Sequence, residues 1–512
     1  FWSRVVEGAM PIDTKPSPLW TEFWVWFGMV WPVLFTNISQ TGMGLTDISF
    51  LGHYEKVAHG TNGTENDGHG TSLSTMYVGA ASMGNVWNSL MNVLVVKGII
   101  SASQILISQS LGAKNSGLAR IYLKVCIVLV TICAVPILCS YIWAGELLNS
   151  VSNLGENLTQ LTTSYTRILA VGFLPFIWYQ SCNSYLVSHQ VVRPQMYLSL
   201  LCFVLNVVFN IALLYGVGGW HGLGFAGSPS ATVGSRCVLC LGGYIIVRQL
   251  SVHSSVEESS SKTNVMCAGV TRMRLKKMLW LGLPLSLSML LEDGQLQFIA
   301  ILAARIGKIS IATHNSMLNF VWVLTSMMWA VSGATRVRVA FYLGAGNVTG
   351  AKRVIKIASV CGIGLGTLIA STFILLRKEI GHLFSNDPEV WHLATKISTL
   401  CGVGYLALVI FYINMATLAA QGRPMIIALS FVMGAWVCCI PLAIFLAFHY
   451  APTEGLFGLW VALATGYGIT TVLSLISVLY SDWDAIVASV LKNAEVYEQR
   501  RAAGRTGTQK TG

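Results

Sequence analysis

Asp47, Asn206, Asn210 and Thr232 are the residues whose types and spacing first suggest chemistry. A carboxylate, two amides and a hydroxyl form a set able to hold a proton or a small hard cation, since oxygen donors suit such ions. Asn206 and Asn210 stand at i, i+4 and so share one helix face. A second group surrounds Glu292, which has Gln295 at i+3, while its neighbour Asp293 has Gln297 at i+4. A helix that is polar on more than one side must line a cavity or a helix contact. Lys97 can bind an anionic group, or its long stem can carry the ammonium to an interface. The plainer reading makes Asp47 an end-of-helix acid and the asparagines packing residues.

What gives these groups weight is the elements that carry them. The chain is 54% hydrophobic and 10% charged, against roughly 25% charged in a soluble domain, so lipid must cover its apolar surface. Apolar stretches of at least about 20 residues, enough to cross the hydrocarbon layer, recur at 23–51, 74–100, 121–144, 161–188, 195–217, 229–249, 275–304, 310–335, 355–376, 390–420, 425–447 and 455–480. Membrane strands would be about ten residues long and alternating, so twelve helices are predicted. An ionisable group near the bilayer centre costs at least about 2.5–3.5 kcal/mol on insertion scales, which makes Asp47, Lys97, Glu292 and Asp293 functional candidates.

The net charge of +11 does not point to nucleic acid, because the basic residues fall in alternate loops rather than on one face. Lys114, Arg120 and Lys124 follow the second span, Arg193 the fourth, Arg248, Lys262, Arg272 and Lys277 the sixth, Lys352 and Arg353 the eighth, Arg423 the tenth, and Arg500 and Arg501 the last. By the positive-inside rule those loops and both termini are cytoplasmic. The opposite loops hold two glycosylation sequons, Asn62-Gly63-Thr64 and Asn157-Leu158-Thr159, whereas Asn347-Val348-Thr349 falls on the cytoplasmic side and should stay bare.

Other motifs lose their meaning in this setting. Eleven of the twelve cysteines sit in apolar spans and Cys267 in a loop, so no disulfide framework is implied, and Cys237 with Cys240 has neither a second pair nor a nearby histidine to complete a metal site. Gly222-Leu223-Gly224-Phe225-Ala226-Gly227 fits a dinucleotide fingerprint but joins two membrane spans instead of a strand and a helix. No phosphate-binding loop, nucleophile elbow or zinc-protease motif is present, so neither ATP-driven transport by this chain nor the commoner hydrolase designs are expected, and no cofactor, catalytic residue or metal is assigned.

The chain repeats itself. Leu111-Gly112-Ala113-Lys114-Asn115 returns as Leu343-Gly344-Ala345-Gly346-Asn347 at an offset of 232, Arg193-Pro194 as Arg423-Pro424 at 230, and Gly224-x-x-Gly227-x-x-x-Ala231 as Gly455-x-x-Gly458-x-x-x-Ala462 at 231. Three matches in the same order imply duplication. Six spans per copy is an even number, so the copies are parallel repeats about an axis along the membrane normal. The expected organisation is a cytoplasmic segment 1–22, a first lobe 23–249, a serine-rich linker 250–274, a second lobe 275–480 and a cytoplasmic tail 481–512.

The run from Trp31-Pro32 through Gly44-Leu45-Thr46-Asp47 to Gly52-His53, then Ser108-Gln109-Ser110-Leu111-Gly112-Ala113, then Thr335 to Arg338 with Leu343-Gly344-Ala345-Gly346-Asn347, resembles the multidrug and toxin extrusion (MATE) family, of eukaryotic, plant-like type, over nearly all twelve spans. The resemblance implies an all-α membrane protein of two six-helix lobes that expels organic cations, or organic anions and secondary metabolites, in exchange for protons or sodium. It places Asp47, Asn206, Asn210 and Thr232 at a cation site of the first lobe and Glu292 at a carboxylate of the second. Some members have an aspartate where this chain has Asn210, many have a glutamate at Gln297, animal members another at Asn319, and the carboxylate of the tenth span is Leu408 here. The expected protein is therefore a monomeric multi-pass antiporter of the plasma membrane or a vacuolar or other organelle membrane. Its two lobes would rock around a central cavity lined by Glu292, Gln295, Gln297, Asn319 and Lys97. The competing expectations are a lipid-linked sugar flippase, a channel and a membrane-embedded enzyme.

Overall fold

A computed structural model describes residues 18–58, 73–152, 155–257, 270–384, 388–450 and 455–492. The sequon at Asn62, Lys262, Cys267, Arg500 and Arg501 lie outside the described residues, as do 258–269 of the linker and the outer parts of both terminal segments.

The chain is an all-α membrane protein of twelve spanning helices in two six-helix lobes, with no strand among the described residues. The first lobe comprises α1 (Leu19–Ala58), α2 (Leu73–Gly112), α3 (Ser116–Ile142), the short α4 (Ala144–Ser152), α5 (Glu156–Ser188), α6 (Arg193–Asn210) and α7 (Gly227–Glu257). The second repeats the plan with α8 (Arg272–Ile306), α9 (Lys308–Gly344), α10 (Val348–Leu375), the short α11 (Arg377–Phe384), α12 (Pro388–Ala420), α13 (Pro424–Tyr450) and α14 (Gly455–Leu479). Each half thus has one short helix between its third and fourth spans. Nine helices among the described residues are long and apolar enough to cross a membrane, and the two arms of α2, bent by 43° around the π turn Asn92–Val96, make a tenth. The helices α1 and α5 are long enough, at 40 and 33 residues, but more polar. Their polar groups face protein: Thr162, Thr163, Thr166, Ser181, Ser184 and Ser188 of α5 are buried, most of them bonded to a carbonyl a turn earlier.

The helices run past the predicted hydrophobic limits, α1 to Ala58 and α2 to Gly112. Hydropathy marks where lipid ends, whereas a helix ends where its last carbonyls find other donors. After α2 the donors are Lys114 N to Leu111 O at 2.9 Å and Asn115 N to Ser110 O at 2.9 Å; after α9 they are Gly346 N to Leu343 O at 3.2 Å and Asn347 N to Tyr342 O at 2.9 Å. This is the same left-handed helix stop in both copies. The following helix is then capped by Asn115 Oδ1 accepting from Leu118 N at 2.9 Å and Asn347 Oδ1 accepting from Gly350 N at 2.8 Å. The Arg-Pro repeat has the same logic: Gln190 and Gly422 take the left-handed position, and Pro194 and Pro424 open the next helix, where a missing N–H costs nothing.

By packing, the described chain forms two compact units. One contains Phe35–Gln104 and Arg120–Gly282; the other contains the start of α1 through Leu34, Ile105–Ala119 and the chain from Leu283. In the first, α7 packs on α5 and α6, and α2 packs on α5. In the second, α12 lies among α9, α10 and α14 and is the most buried span, which is why it is apolar all round. The end of α2 belongs to the second unit because its backbone meets that of α9: a Cβ on Gly112 would stand 1.9 Å from Phe341 O, and one on Gly344 2.0 Å from Gln109 O. The start of α1 is held there by a buried ion pair. Arg338 donates through Nε to Glu22 Oε1 at 2.9 Å and through Nη2 to Oε2 at 2.7 Å, while the Tyr342 hydroxyl donates to Oε2 at 2.6 Å.

Candidate functional site

Besides Glu22 in the anchor of α1, each unit buries a carboxylate in a built polar setting. In the first, Asp47 of α1 is 1% exposed. Its Oδ1 accepts from Asn210 Nδ2 at 2.8 Å and from Asn206 Nδ2 at 3.5 Å, and its Oδ2 accepts from the Thr232 hydroxyl. The two amides come from one face of α6, as their spacing requires, and the hydroxyl from the second turn of α7. Asn210 also donates to Asn206 O at 3.0 Å, and the π turn Ile211–Tyr215 begins at the next residue. Asn210 Oδ1 is buried without a hydrogen-bond partner among the described residues. Every donor to Asp47 is neutral, and no lysine or arginine among the described residues lies within ion-pair distance of it. Such a site can bind a proton or a small cation with the fold already satisfied.

In the second unit Glu292 of α8 is 8% exposed. Its Oε1 accepts from the Tyr412 hydroxyl of α12 at 2.9 Å and the Tyr467 hydroxyl of α14 at 3.4 Å. Around it opens a cleft of about 590 Å³, open solvent at its mouth included, walled by Trp322, Tyr405, Tyr412, Trp460 and Tyr467 with Leu408. One carboxylate among aromatic faces suits a flat molecule with a positive charge, through ion pairing and cation–π attraction.

The residues named from the sequence thus separate. Asp47, Asn206, Asn210 and Thr232 meet at one point. Glu292 lines the cleft, whereas Gln295, 1% exposed, lies one turn along α8 with neither side-chain atom hydrogen-bonded among the described residues. Gln297 and Asn319 are exposed and do not line the cleft. Lys97, partly buried where α2 resumes after its π turn, belongs to the first unit. Tyr412 and Tyr467 are partners that no motif announced. The sequence reading also passed over Arg236, although it stands inside the span 229–249 at i+4 from Thr232.

Two lobes of six spans, each with a buried and internally satisfied carboxylate, describe a polytopic membrane transporter. The MatE family model matches residues 71–212 and 284–445, more than half of the chain. The chain belongs to the MATE family of membrane efflux transporters. Its fold matches the crystal structure of the eukaryotic MATE transporter AtDTX14 with a TM-score of 0.75 at 18% identity, covering 93% of this chain and 99% of that one. An aspartate-to-asparagine mutant of the Vibrio cholerae MATE transporter VcmN matches at 0.76 and 16% identity, covering 91% and 99%. A MOP superfamily transporter from Pyrococcus furiosus, described as having a binding pocket of reversed polarity, matches at 0.74 and 18%, covering 94% and 98%.

Proposed function

We propose that this transporter is a secondary active antiporter that exports small organic molecules, xenobiotics or secondary metabolites, in exchange for protons, its two lobes rocking to open a central cavity to each side in turn. The observation that carries this reading is Asp47, a carboxylate buried in the bilayer region whose hydrogen-bond partners among the described residues are the neutral groups of Thr232, Asn206 and Asn210. A carboxylate locked to a fixed cation would have no reason to take up a proton; one held by neutral donors can be loaded and unloaded without breaking an ion pair. The asparagine at position 210 leaves a single acid in the cluster, which favours the proton over sodium as the coupling ion. The aromatic cleft around Glu292 supports a flat, partly apolar substrate.

The protein is placed, on its loop charges, with both termini in the cytoplasm of a plasma or organelle membrane, and a monomer suffices for the mechanism. The test is flux in proteoliposomes with imposed gradients and a panel of cationic and anionic dyes. A pH gradient should drive uphill dye movement and a sodium gradient should not. Dye flux that follows neither gradient, or currents far above carrier turnover, would reject the antiporter.

A further inference from the structure

We infer that the first lobe holds a binding site for an organic anion, with Arg236 as the group that receives its carboxylate. Arg236 of α7 is 9% exposed, and no carboxylate among the described residues lies within ion-pair distance of it. Its Nη1 and Nη2 both turn to a single neutral oxygen, Asn88 Oδ1, at 3.4 and 3.5 Å, which the Tyr141 hydroxyl already occupies at 3.0 Å. These are long bonds for charged donors. The Phe176 ring lies 4.7 Å from the guanidinium carbon.

Taking an arginine out of water costs several kcal/mol unless a partner of opposite charge is supplied. Asp47 lies within electrostatic reach of Arg236 but forms no ion pair with it, being fastened instead to Thr232, one turn earlier on α7. A planar guanidinium with donors to spare matches a carboxylate in two parallel hydrogen bonds. Further donors await a ligand in the same lobe. Tyr165 and Ser228 are fully buried, and their hydroxyls lie near one another without a well-formed hydrogen bond. Ser228, Thr232 and Arg236 follow one another at helical spacing along one face of α7. Tyr165 packs against the turn of α2 that precedes Asn88, with its ring 2.5 Å from where a Cβ on Gly84 would stand, and it lies within electrostatic reach of both Arg236 and Asp47. The site therefore comprises Arg236 and Asn88 as its charged and polar floor, with Tyr165 and Ser228 as waiting donors.

This inference deepens the exporter reading by naming a ligand class for the first lobe, so its test measures binding, which fails separately from transport. Fluorescein and rhodamine 123 share a xanthene core, the first an anion with a carboxylate and the second a cation. Their binding to the purified full-length chain is read by fluorescence anisotropy. Wild type should bind fluorescein saturably, Arg236→Gln should weaken it by about ten-fold or more, and Arg236→Lys should weaken it less, since charge survives without the fork. Rhodamine 123 binding should stay within about two-fold throughout. The inference is overturned if wild type binds no fluorescein, if a folded Arg236→Gln binds it as tightly as before, or if that variant loses both dyes equally, which would make Arg236 a strut. Should Arg236→Gln fail to give a monodisperse peak, Tyr165→Phe decides. It removes a hydroxyl that makes no well-formed hydrogen bond in the fold, so fluorescein should bind about three-fold more weakly, and unchanged binding overturns the site. Absence of gradient-driven flux beside intact fluorescein binding would reject the exporter alone.

Discussion

Asp47 and Glu292 differ in their company, and the difference sets what each substitution should do. Asp47→Asn keeps the shape and the contacts with Asn206, Asn210 and Thr232 but leaves the site permanently uncharged, a mimic of the loaded state. Normal membrane expression is expected, with loss of uphill efflux under a pH gradient and residual substrate exchange that no longer responds to pH. Uphill pumping at the wild-type rate and pH profile would transfer the coupling role to Glu292. At Glu292 the aromatic walls remain when the charge is removed, so Glu292→Gln should raise KM for cationic dyes by about ten-fold, the worth of roughly 1.4 kcal/mol, and change anionic dyes much less. Equal small effects on both would reduce Glu292 to a packing residue. Tyr412→Phe, which removes the 2.9 Å bond to Glu292 and the hydroxyl's contact with Trp329 but keeps the ring, should give a milder version of the same preference.

Helix ends and helix crossings are where elements fail. The two repeated turns differ at one informative position: Gly346 has φ +74° and its counterpart Lys114 has φ +53°, a conformation that costs a side chain about 1 kcal/mol. Lys114 is exposed, so Lys114→Gly should lose few contacts and leave the melting temperature unchanged or slightly raised, by the equivalent of at most about 0.6 kcal/mol once the greater freedom of the unfolded glycine is subtracted. The opposite is expected of Gly344→Ala. Its methyl would stand 2.0 Å from a carbonyl oxygen of α2, a backbone atom that cannot rotate away. Separation of two helices by that much should cost about 3 kcal/mol or more and show as poor expression or a much lower melting temperature in detergent. Glu22→Gln tests the anchor of α1: it leaves Arg338 buried with its charge uncompensated, a defect of about 3–5 kcal/mol. A thermal shift no larger than that of a surface substitution would mean that the pair contributes little.

For the molecule as a whole, duplication dictates that both halves enter the bilayer from the same side. Accessibility tags at Lys262 and at the C-terminus should therefore report one compartment, the cytoplasm on the charge pattern, and Asn62 the other by accepting a glycan in a eukaryotic host. Asn347 should stay bare on either orientation, because its side chain is the cap of α10. A tag placing the 250–274 stretch outside would invert the orientation and with it the direction of transport.

The residues alone carried the twelve spans, the duplication and the pairing of Asp47 with Asn206, Asn210 and Thr232. Span length follows from the thickness of hydrocarbon, the repeated turns from local left-handed geometry and Asn caps, and the shared face of two asparagines from helical spacing, all properties of short stretches of chain. The aromatic wall of Glu292 was not legible, since Tyr412 and Tyr467 lie on helices distant in sequence and their direction depends on how α8, α12 and α14 cross. The same holds for the Glu22–Arg338 pair, which joins the start of α1 to the far end of α9, and for the place of the end of α2 in the second unit, where two glycines let its backbone meet that of α9. Arg236 stood in plain view inside a span. Its surroundings, a neutral amide oxygen in place of a carboxylate, came only from the packing of α5 against both α7 and α2, because side-chain partners across helices are chosen by tertiary contact.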